Sequence, residues 1–523
     1  MKDRYNLIVF HYHFQTGGVS TVIRHALEAF RTHLPAIRSV ELVAGFIPEA
    51  FASVCTSLGA RCTLMPAVGY RRQDDDAKER NRRVTAEQAE RLAEQLLRRF
   101  ASDDSIWWIH NYHLGKNTVF TRALLRIAES GHPQRIILQI HDFPECGRFA
   151  NLRLLKREVG LDPYPVSPRV RYAVLNARDR AVLIGAGVPE RWVFLLENPV
   201  FGASHRNRRR ATGASVKQAL AAAYSGYDPE LPLVLYPVRT IRRKNALEAL
   251  LLCLLLEADA NLLITLPGIS QAERPYSEVV RGLFTKRICP GLWGIGSELD
   301  QSQLSFEDLV TASDAILSTS VQEGFGYLFI NSLLWSRPLI ARKLDTIEGL
   351  KALFADYPCR FYEKLNVPLS DTESLAAAYR RKILSLSDLI PETERRLLLD
   401  SVHALSRDNC VDFSYLPVSG QHRLLLSAAG EENSLLPALR AENRRLIEDF
   451  TRLLRSGRIS AGASAQRVTE RFGAEAYAEG FRRILCAFET QEAPPATPAP
   501  GAIAERVVKA FLRIENLRLL YDF

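Results

Sequence analysis

The residues best suited to chemistry in this 523-residue chain lie in two strand–loop–helix segments. In Ser318-Thr-Ser-Val-Gln-Glu-Gly-Phe-Gly-Tyr-Leu-Phe-Ile-Asn331 a β-rich run ends, a glycine-bearing turn follows and a helix opens. A helix start offers unsatisfied backbone N–H groups and the positive end of the dipole, and glycines let an anion approach the backbone. Gly324, Phe325 and Gly326 therefore mark a phosphate site, and Glu323 stands beside it. A carboxylate repels phosphate, so the functional reading of Glu323 is to accept hydrogen bonds from sugar hydroxyls; a tight turn with a glutamate at a helix start accounts for Glu-Gly-x-Gly equally well. The second segment is Leu235-Tyr-Pro-Val-Arg-Thr-Ile-Arg-Arg-Lys-Asn245. Arg239 supplies a planar donor fork and Lys244 a point charge, a pair suited to one diphosphate. Arg242 and Arg243 read as solvated side chains as readily as functional ones.

Both segments need a buried strand on one side and a helix on the other, and the chain supplies such alternation twice. Residues 1–202 alternate strands (Asn6–Phe10, Val40–Ala44, Ser105–Ile109, Arg135–Ile140, Val170–Val174) with helices such as Ser20–Phe30 and Thr85–Phe100, the pattern of parallel βαβ units. A polar, arginine-rich linker is expected over 203–230, and the alternation resumes over 231–420. The expected fold class is α/β: two Rossmann-like, doubly wound domains facing a cleft, followed by a helical extension over 421–523 with a proline-rich linker at 492–500. The apolar stripes of that extension, Leu436 to Leu453 and Ile503 to Tyr521, suit packing onto the domains better than a coiled-coil dimer, because neither runs for enough heptads; homodimerisation stays open.

Hydrophobic residues make up 47% and charged residues 24%, ordinary globular values that exclude a disordered or fibrous chain. The longest apolar run, Ala249–Leu256, falls well short of the roughly 20 residues that span a bilayer. The start, Met1 to Phe10, lacks a signal-peptide pattern, so a cytoplasmic location is expected. Eight cysteines without a Cys-x-x-Cys pair read as reduced thiols. The net charge of +9 gathers in Arg71-Arg72, Arg80–Arg83, Arg206–Arg210 and Arg239–Lys244. These clusters are not interleaved with aromatics, which argues against nucleic acid; peripheral contact with anionic lipid stays open. Gly17-Gly18 lacks the dinucleotide fingerprint, and no P-loop is present. Asp74-Asp75-Asp76 contains an Asp-x-Asp but reads as a solvated loop. His11, His13, His110 and His113 lack a metal-site spacing and suit either acceptor contact or plain core and surface positions; no metal is expected.

Five elements in order, Thr16-Gly17-Gly18-Val19-Ser20, Gln139-Ile-His141-Asp142-Phe143, Glu197-Asn198-Pro199-Val200, Arg239 with Lys244, and Glu323-Gly-Phe-Gly326, resemble the GT-B retaining glycosyltransferases of the large family containing sucrose synthase, bacterial glycogen synthase and the phosphatidylinositol mannosyltransferases. The resemblance spans most of residues 5–400. It implies that Gly17 and Gly18 lie by the donor diphosphate and that His141 contacts the transferred sugar. Arg239 and Lys244 would hold the diphosphate, and Glu323 would open the signature Glu, seven residues, Glu. The second glutamate, which holds the nucleotide ribose, falls here on Asn331; Glu348 lies too far along to replace it. Asn keeps hydrogen bonding but loses charge assistance.

The implied activity is metal-independent transfer of a sugar, with retention, from a nucleoside diphosphate sugar to a small-molecule, glycan or lipid acceptor. The donor is a co-substrate and no cofactor is expected. The catalytic set would be His141, Glu323, Arg239 and Lys244, with Gly17, Gly18, Gly324, Phe325, Gly326 and Asn331 binding the donor. Two alternatives remain: an inactive nucleotide-sugar or glycan-binding scaffold, and a sugar-nucleotide epimerase.

Overall fold

The computed structural model describes residues 5–71, 82–201, 212–297, 304–407, 409–430, 435–456, 462–490, 499 and 501–522. Asp74–Asp76, Arg206–Arg210 and nearly all of the proline-rich stretch 492–500 lie outside them. The chain divides into two compact units: residues 1–201, 386–394 and 469–513, and residues 202–385, 395–468 and 514–523. The stretch expected as a helical extension is thus shared between them.

The first unit is built on a seven-stranded, all-parallel sheet: β1 (Tyr5–Phe10), β2 (Ile37–Ala44), β3 (Ala60–Leu64), β4 (Ser105–His110), β5 (Arg135–Ile140), β6 (Val170–Val174) and β7 (Val193–Leu195), in the order β3-β2-β1-β4-β5-β6-β7. A strand covered on both faces reads as a near-continuous apolar run, and β4, Ser-Ile-Trp-Trp-Ile-His, is buried throughout with polar residues only at its two ends. Ile8, Phe10, Trp107, Ile109 and Leu138 point into one core, and Leu7, Val9, Ile106, Trp108 and Ile137 into the other. The C-terminal part of the chain completes both. Tyr477, Phe481 and Ile484 cover the second face, and Ile503, Val507 and Phe511 cover the first.

The second unit repeats the plan with six parallel strands: β8 (Leu233–Arg239), β9 (Asn261–Leu266), β10 (Gly291–Trp293), β11 (Ala315–Ser318), β12 (Leu339–Arg342) and β13 (Cys359–Tyr362), in the order β10-β9-β8-β11-β12-β13. A small antiparallel sheet of β14 (Asn366–Pro368), β15 (Ser406–Arg407) and β16 (Cys410–Asp412) adjoins it. All but the last residue of the apolar run Ala249–Leu256 falls in the helix Ala246–Leu255, nearly all of which is buried. Among the described residues no helix is long and apolar enough to cross a membrane. The stripe through Leu436, Leu439, Leu446 and Phe450 is buried against its own chain, where Asn443 bonds both ways to the backbone of Asn366.

A buried ion network locks the second unit. Arg342, at the end of β12, donates to both carboxylate oxygens of Glu248 at 2.6 and 3.0 Å and to both of Asp412 at 2.9 Å, and Tyr362 donates to Glu248 at 2.6 Å. Burial favours the neutral acids, but Arg342 outweighs it at Asp412, whose pKa lies below the usual range, while that of Glu248 stays raised. Arg518 reaches the same network through Ser414. Removing one member strands uncompensated charge, so Arg342→Ala is expected to lower the unfolding free energy by about 3–5 kcal/mol in urea titrations.

Candidate functional site

In each sheet the strand order reverses at one place, between β1 and β4 in the first unit and between β8 and β11 in the second. At such a point the following connections run to opposite sides and leave a crevice at the carboxyl ends of the strands. Both segments singled out for chemistry leave the second unit's sheet there.

Pro237 sits inside β8 and has no N–H, and the register to β9 shifts between Tyr236 and Arg239. Arg239 ends the strand with a half-buried side chain. A short 3-10 turn, Arg242–Lys244, follows, and Asn245 adopts φ 48° before the helix Ala246–Leu255 opens. The turn after β11 is sewn to this loop. Thr319 donates to the carbonyls of Lys244 and Asn245 at 3.0 and 2.9 Å, Tyr236 donates to the Lys244 carbonyl at 2.6 Å, and the N–H of Val321 donates to the carbonyl of Arg243 at 2.9 Å.

On this frame the side chains of Lys244 and Glu323 form an ion pair. Arg243 adds a second, at 3.3 Å to the other Glu323 oxygen, and donates to the Gln322 carbonyl at 3.3 Å. Burial pushes the Glu323 pKa up, but Lys244 and Arg243 more than reverse this, so its carboxyl lies below the usual range and stays ionised. Gly326 takes φ +85° at the start of the helix Tyr327–Trp335, and a Cβ there would stand 3.1 Å from the Phe329 ring, so the backbone itself demands glycine. Asn331 is half-buried on the second turn of this helix. Glu348 is exposed and pairs with Lys351.

The last residues of the chain reach both loops. Arg242 is held by Glu273 and donates to the Tyr521 carbonyl at 2.6 Å, while the Tyr521 hydroxyl donates to the Gln322 side chain at 3.2 Å. The sequence left Arg243 open between a solvated and a functional side chain, and it carries no local signal that Tyr521 reaches these loops.

In the first unit the histidines gather at its own reversal point. His141 follows β5 and shares a hydrogen bond of 2.8 Å with His110 at the end of β4, the rings stacked at 5.2 Å. His11 lies edge-on to His110 at 6.2 Å and 5.5 Å from His13. Asn111, at φ 53°, accepts from the backbone N–H of His141 at 2.8 Å and so fixes the loop that carries it. His110 is thus the partner of His141, which spacing alone did not reveal. Among the described residues the buried His11 Nδ1, His110 Nε2 and both nitrogens of His113 lack hydrogen-bond partners. No group of three or more side chains there is arranged to hold a metal ion. Gly17 and Gly18 open the helix Gly18–His33; a Cβ at Gly18 would meet nothing within 4 Å, so the fold does not require glycine there.

Two all-parallel Rossmann-like units, with loops of basic, acidic and histidine residues at their strand-order reversals, define the class of GT-B glycosyltransferases. The chain is 30% identical over 529 residues, covering 99% of its own length and 100% of the other, to the mannosylglucosyl-3-phosphoglycerate synthase of Petrotoga mobilis, and it belongs to that protein's family. Its fold is similar to that of Anabaena Alr3699/HepE, solved in complex with UDP-glucose, with a TM-score of 0.50 at 10% identity over 92% of this chain and 99% of that one. The structure of HepE with UDP and glucose gives the same score, 0.50, at 10% identity over 92% of this chain and 100% of that one. No protein-family model matches the chain.

Two outcomes are expected. Burial lowers His11 and His113 to about 3 and His141 to about 4, below the usual 6.5. The unfolded chain therefore binds protons first on acidification: their contribution to stability is full above pH 6.5 and is lost as pH falls, down to about 4 for His141 and about 3 for His11 and His113. Imidazole NMR resonances that stay neutral at pH 5 check this. Separately, Tyr521→Phe removes one hydrogen bond and is expected to cost about 1 kcal/mol in denaturant titrations.

Proposed function

We propose that this glycosyltransferase moves a mannosyl group from a nucleoside diphosphate sugar to an acceptor of the glucosyl-3-phosphoglycerate class, with retention at the anomeric carbon and without a metal ion. The donor and acceptor classes rest on the full-length kinship with the Petrotoga mobilis synthase. The observation that carries the reading is the placement of Lys244 and Arg243 against the Glu323 turn, at the strand-order reversal of the second unit.

In this reading the bond between the anomeric carbon and the β-phosphate oxygen breaks, negative charge grows on the leaving diphosphate and positive charge on the sugar. Lys244, Arg239 and the backbone amides of Gly324–Gly326 stabilise the leaving group, and because they are fixed in advance they need no reorganisation as the charge develops. Glu323 has two functions: it holds Lys244 in place, and it accepts from sugar hydroxyls when the diphosphate engages the cations. His141, kept neutral by burial and oriented by His110 and Asn111, contacts the transferred sugar. Gly17 and Gly18 lie by the donor diphosphate in this reading, and no neighbour within 4 Å blocks the approach at Gly18. The acceptor hydroxyl attacks on the face from which the diphosphate departs and loses its proton to that diphosphate, so no protein nucleophile is needed. Asn331 takes the position of the ribose-binding glutamate and supplies hydrogen bonds without charge.

Asn331 is also what favours the second reading, a binding protein without turnover. The test incubates the purified chain with nucleotide sugars, nucleotide mannose among them, and glucosyl-3-phosphoglycerate, with the product anomer read by NMR. Transfer with retention, unaffected by EDTA, is expected, and Lys244→Ala should lower kcat/KM by about 10²–10³. Donor binding without consumption would support the second reading, consumption without acceptor an epimerase, and inversion would remove the mechanism above.

A further inference from the structure

Beyond the histidines, the carboxyl edge of the first unit's sheet carries a basic pair that the mechanism does not use. The loop 111–117 after β4 bears Lys116, and the loop after β5 ends in Arg148 just before the helix Phe149–Glu158. These loops are pressed together. A Cβ at Gly115 would stand 2.7 Å from the Asn151 carbonyl oxygen, and the Asn151 side chain donates to the Leu114 carbonyl at 2.7 Å. Only a residue without a side chain, at its φ of +65°, permits that approach. The chain after β3 joins the same cluster: the N–H of Arg71 donates to the Lys116 carbonyl at 3.1 Å, and the Lys116 ammonium lies 5.7 Å from the centre of the Tyr70 ring.

Lys116 is half-buried and, among the described residues, makes no ion pair. Its pKa is lowered first by burial and then by the positive charge of Arg148. Arg148 gives one nitrogen to Asp142 at 3.0 Å, which leaves other donors of its fork for a further acceptor. Two cations borne on loops that are pressed together repel each other, and an anion between them relieves the repulsion. Tyr70 keeps 53% of its surface exposed although His13 meets it edge to face at 4.9 Å and Tyr12 lies 5.2 Å away. A half-exposed aromatic ring beside two cations suits a ligand with a C–H-rich ring at one end and negative charge at the other, since the ring removes apolar surface from water while the cations pair with the charge.

Resting on the acceptor reading above, we infer that Lys116 and Arg148 bind the phosphate and carboxylate of the acceptor, and that Tyr70 packs against the sugar joined to them. The site would exclude neutral sugars and make the acid portion of the acceptor the main determinant of its affinity.

Calorimetry on the full chain tests this with glucosyl-3-phosphoglycerate, 3-phosphoglycerate, glucosylglycerate and glucose 6-phosphate as probes. Lys116→Gln and Arg148→Gln are each expected to weaken 3-phosphoglycerate and its glucosylated form about tenfold or more, and to weaken glucosylglycerate, which lacks the phosphate, less. Tyr70→Ala should weaken the glucosylated probe and spare 3-phosphoglycerate. Binding of a nucleoside diphosphate with wild-type affinity shows that each variant is folded. If the wild type binds glucosyl-3-phosphoglycerate and the two basic variants bind it equally well, the anion site is overturned while the acceptor reading stands. If it binds glucose 6-phosphate through Lys116 and ignores glucosyl-3-phosphoglycerate, the anion site stands and the acceptor reading falls. If it binds none of the phosphorylated probes, the inference is overturned.

Discussion

The carbonyl oxygen of Lys244 accepts from two hydroxyls, those of Tyr236 at 2.6 Å and Thr319 at 3.0 Å, and the second unit's chemistry depends on that junction. Tyr236 comes from the strand before the basic loop and Thr319 from the turn after β11, so one acceptor fixes two segments some 75 residues apart. The Lys244 ammonium and the Glu323 carboxylate can then meet without either loop being ordered for that purpose alone. A long, flexible lysine loses much rotamer freedom when it pairs, and a backbone already in place lowers that cost. The bonds from Arg242 to Tyr521 and from Tyr521 to Gln322 add a third strut to the same frame.

The two strand-order reversals gather side chains of different electrostatic character. In the second unit charges are kept and paired: Glu323 with Lys244 and Arg243, and Glu248 and Asp412 with Arg342. At the first unit's reversal point burial instead leaves His11, His113 and His141 neutral. A neutral imidazole both donates and accepts, which suits contact with hydroxyl groups, whereas a paired ammonium suits a ligand whose charge rises during reaction. Under the proposed function, that difference is the one between holding a sugar and receiving a leaving diphosphate.

Much of the fold was legible in the sequence because parallel strands buried on both faces read as near-continuous apolar runs, and the expected strands Arg135–Ile140 and Val170–Val174 coincide with β5 and β6. The edge strands β3 (Ala60–Leu64) and β10 (Gly291–Trp293) were not, since an edge strand is partly solvated and short, and its pattern merges with that of a loop. The loops after β8 and β11 stood out in the sequence because glycines and basic residues directly follow a buried strand there. The contacts between them did not. Tyr521 lies 199 residues from Gln322, and His110 reads as an ordinary strand end until β5 places His141 beside it. Long-range pairing depends on strand order, which periodicity does not encode.

Strand order also explains why the final stretch of chain bears on the site at all. A doubly wound sheet leaves its carboxyl edge covered only by its own loops, and these are ordered to the extent that something holds them. Here the helix Ala502–Phe511 packs on the first unit through Ile503, Val507 and Phe511, and the residues after it cross to the second, where Arg518 reaches Ser414 beside the Arg342 network and Tyr521 reaches the basic loop. One short segment thereby links the buried ion network under β12 to the loops at β8 and β11. The rigidity of these loops is then set by packing at the far end of the chain as much as by their own residues, which places constraints on a tail whose sequence shows only an apolar stripe.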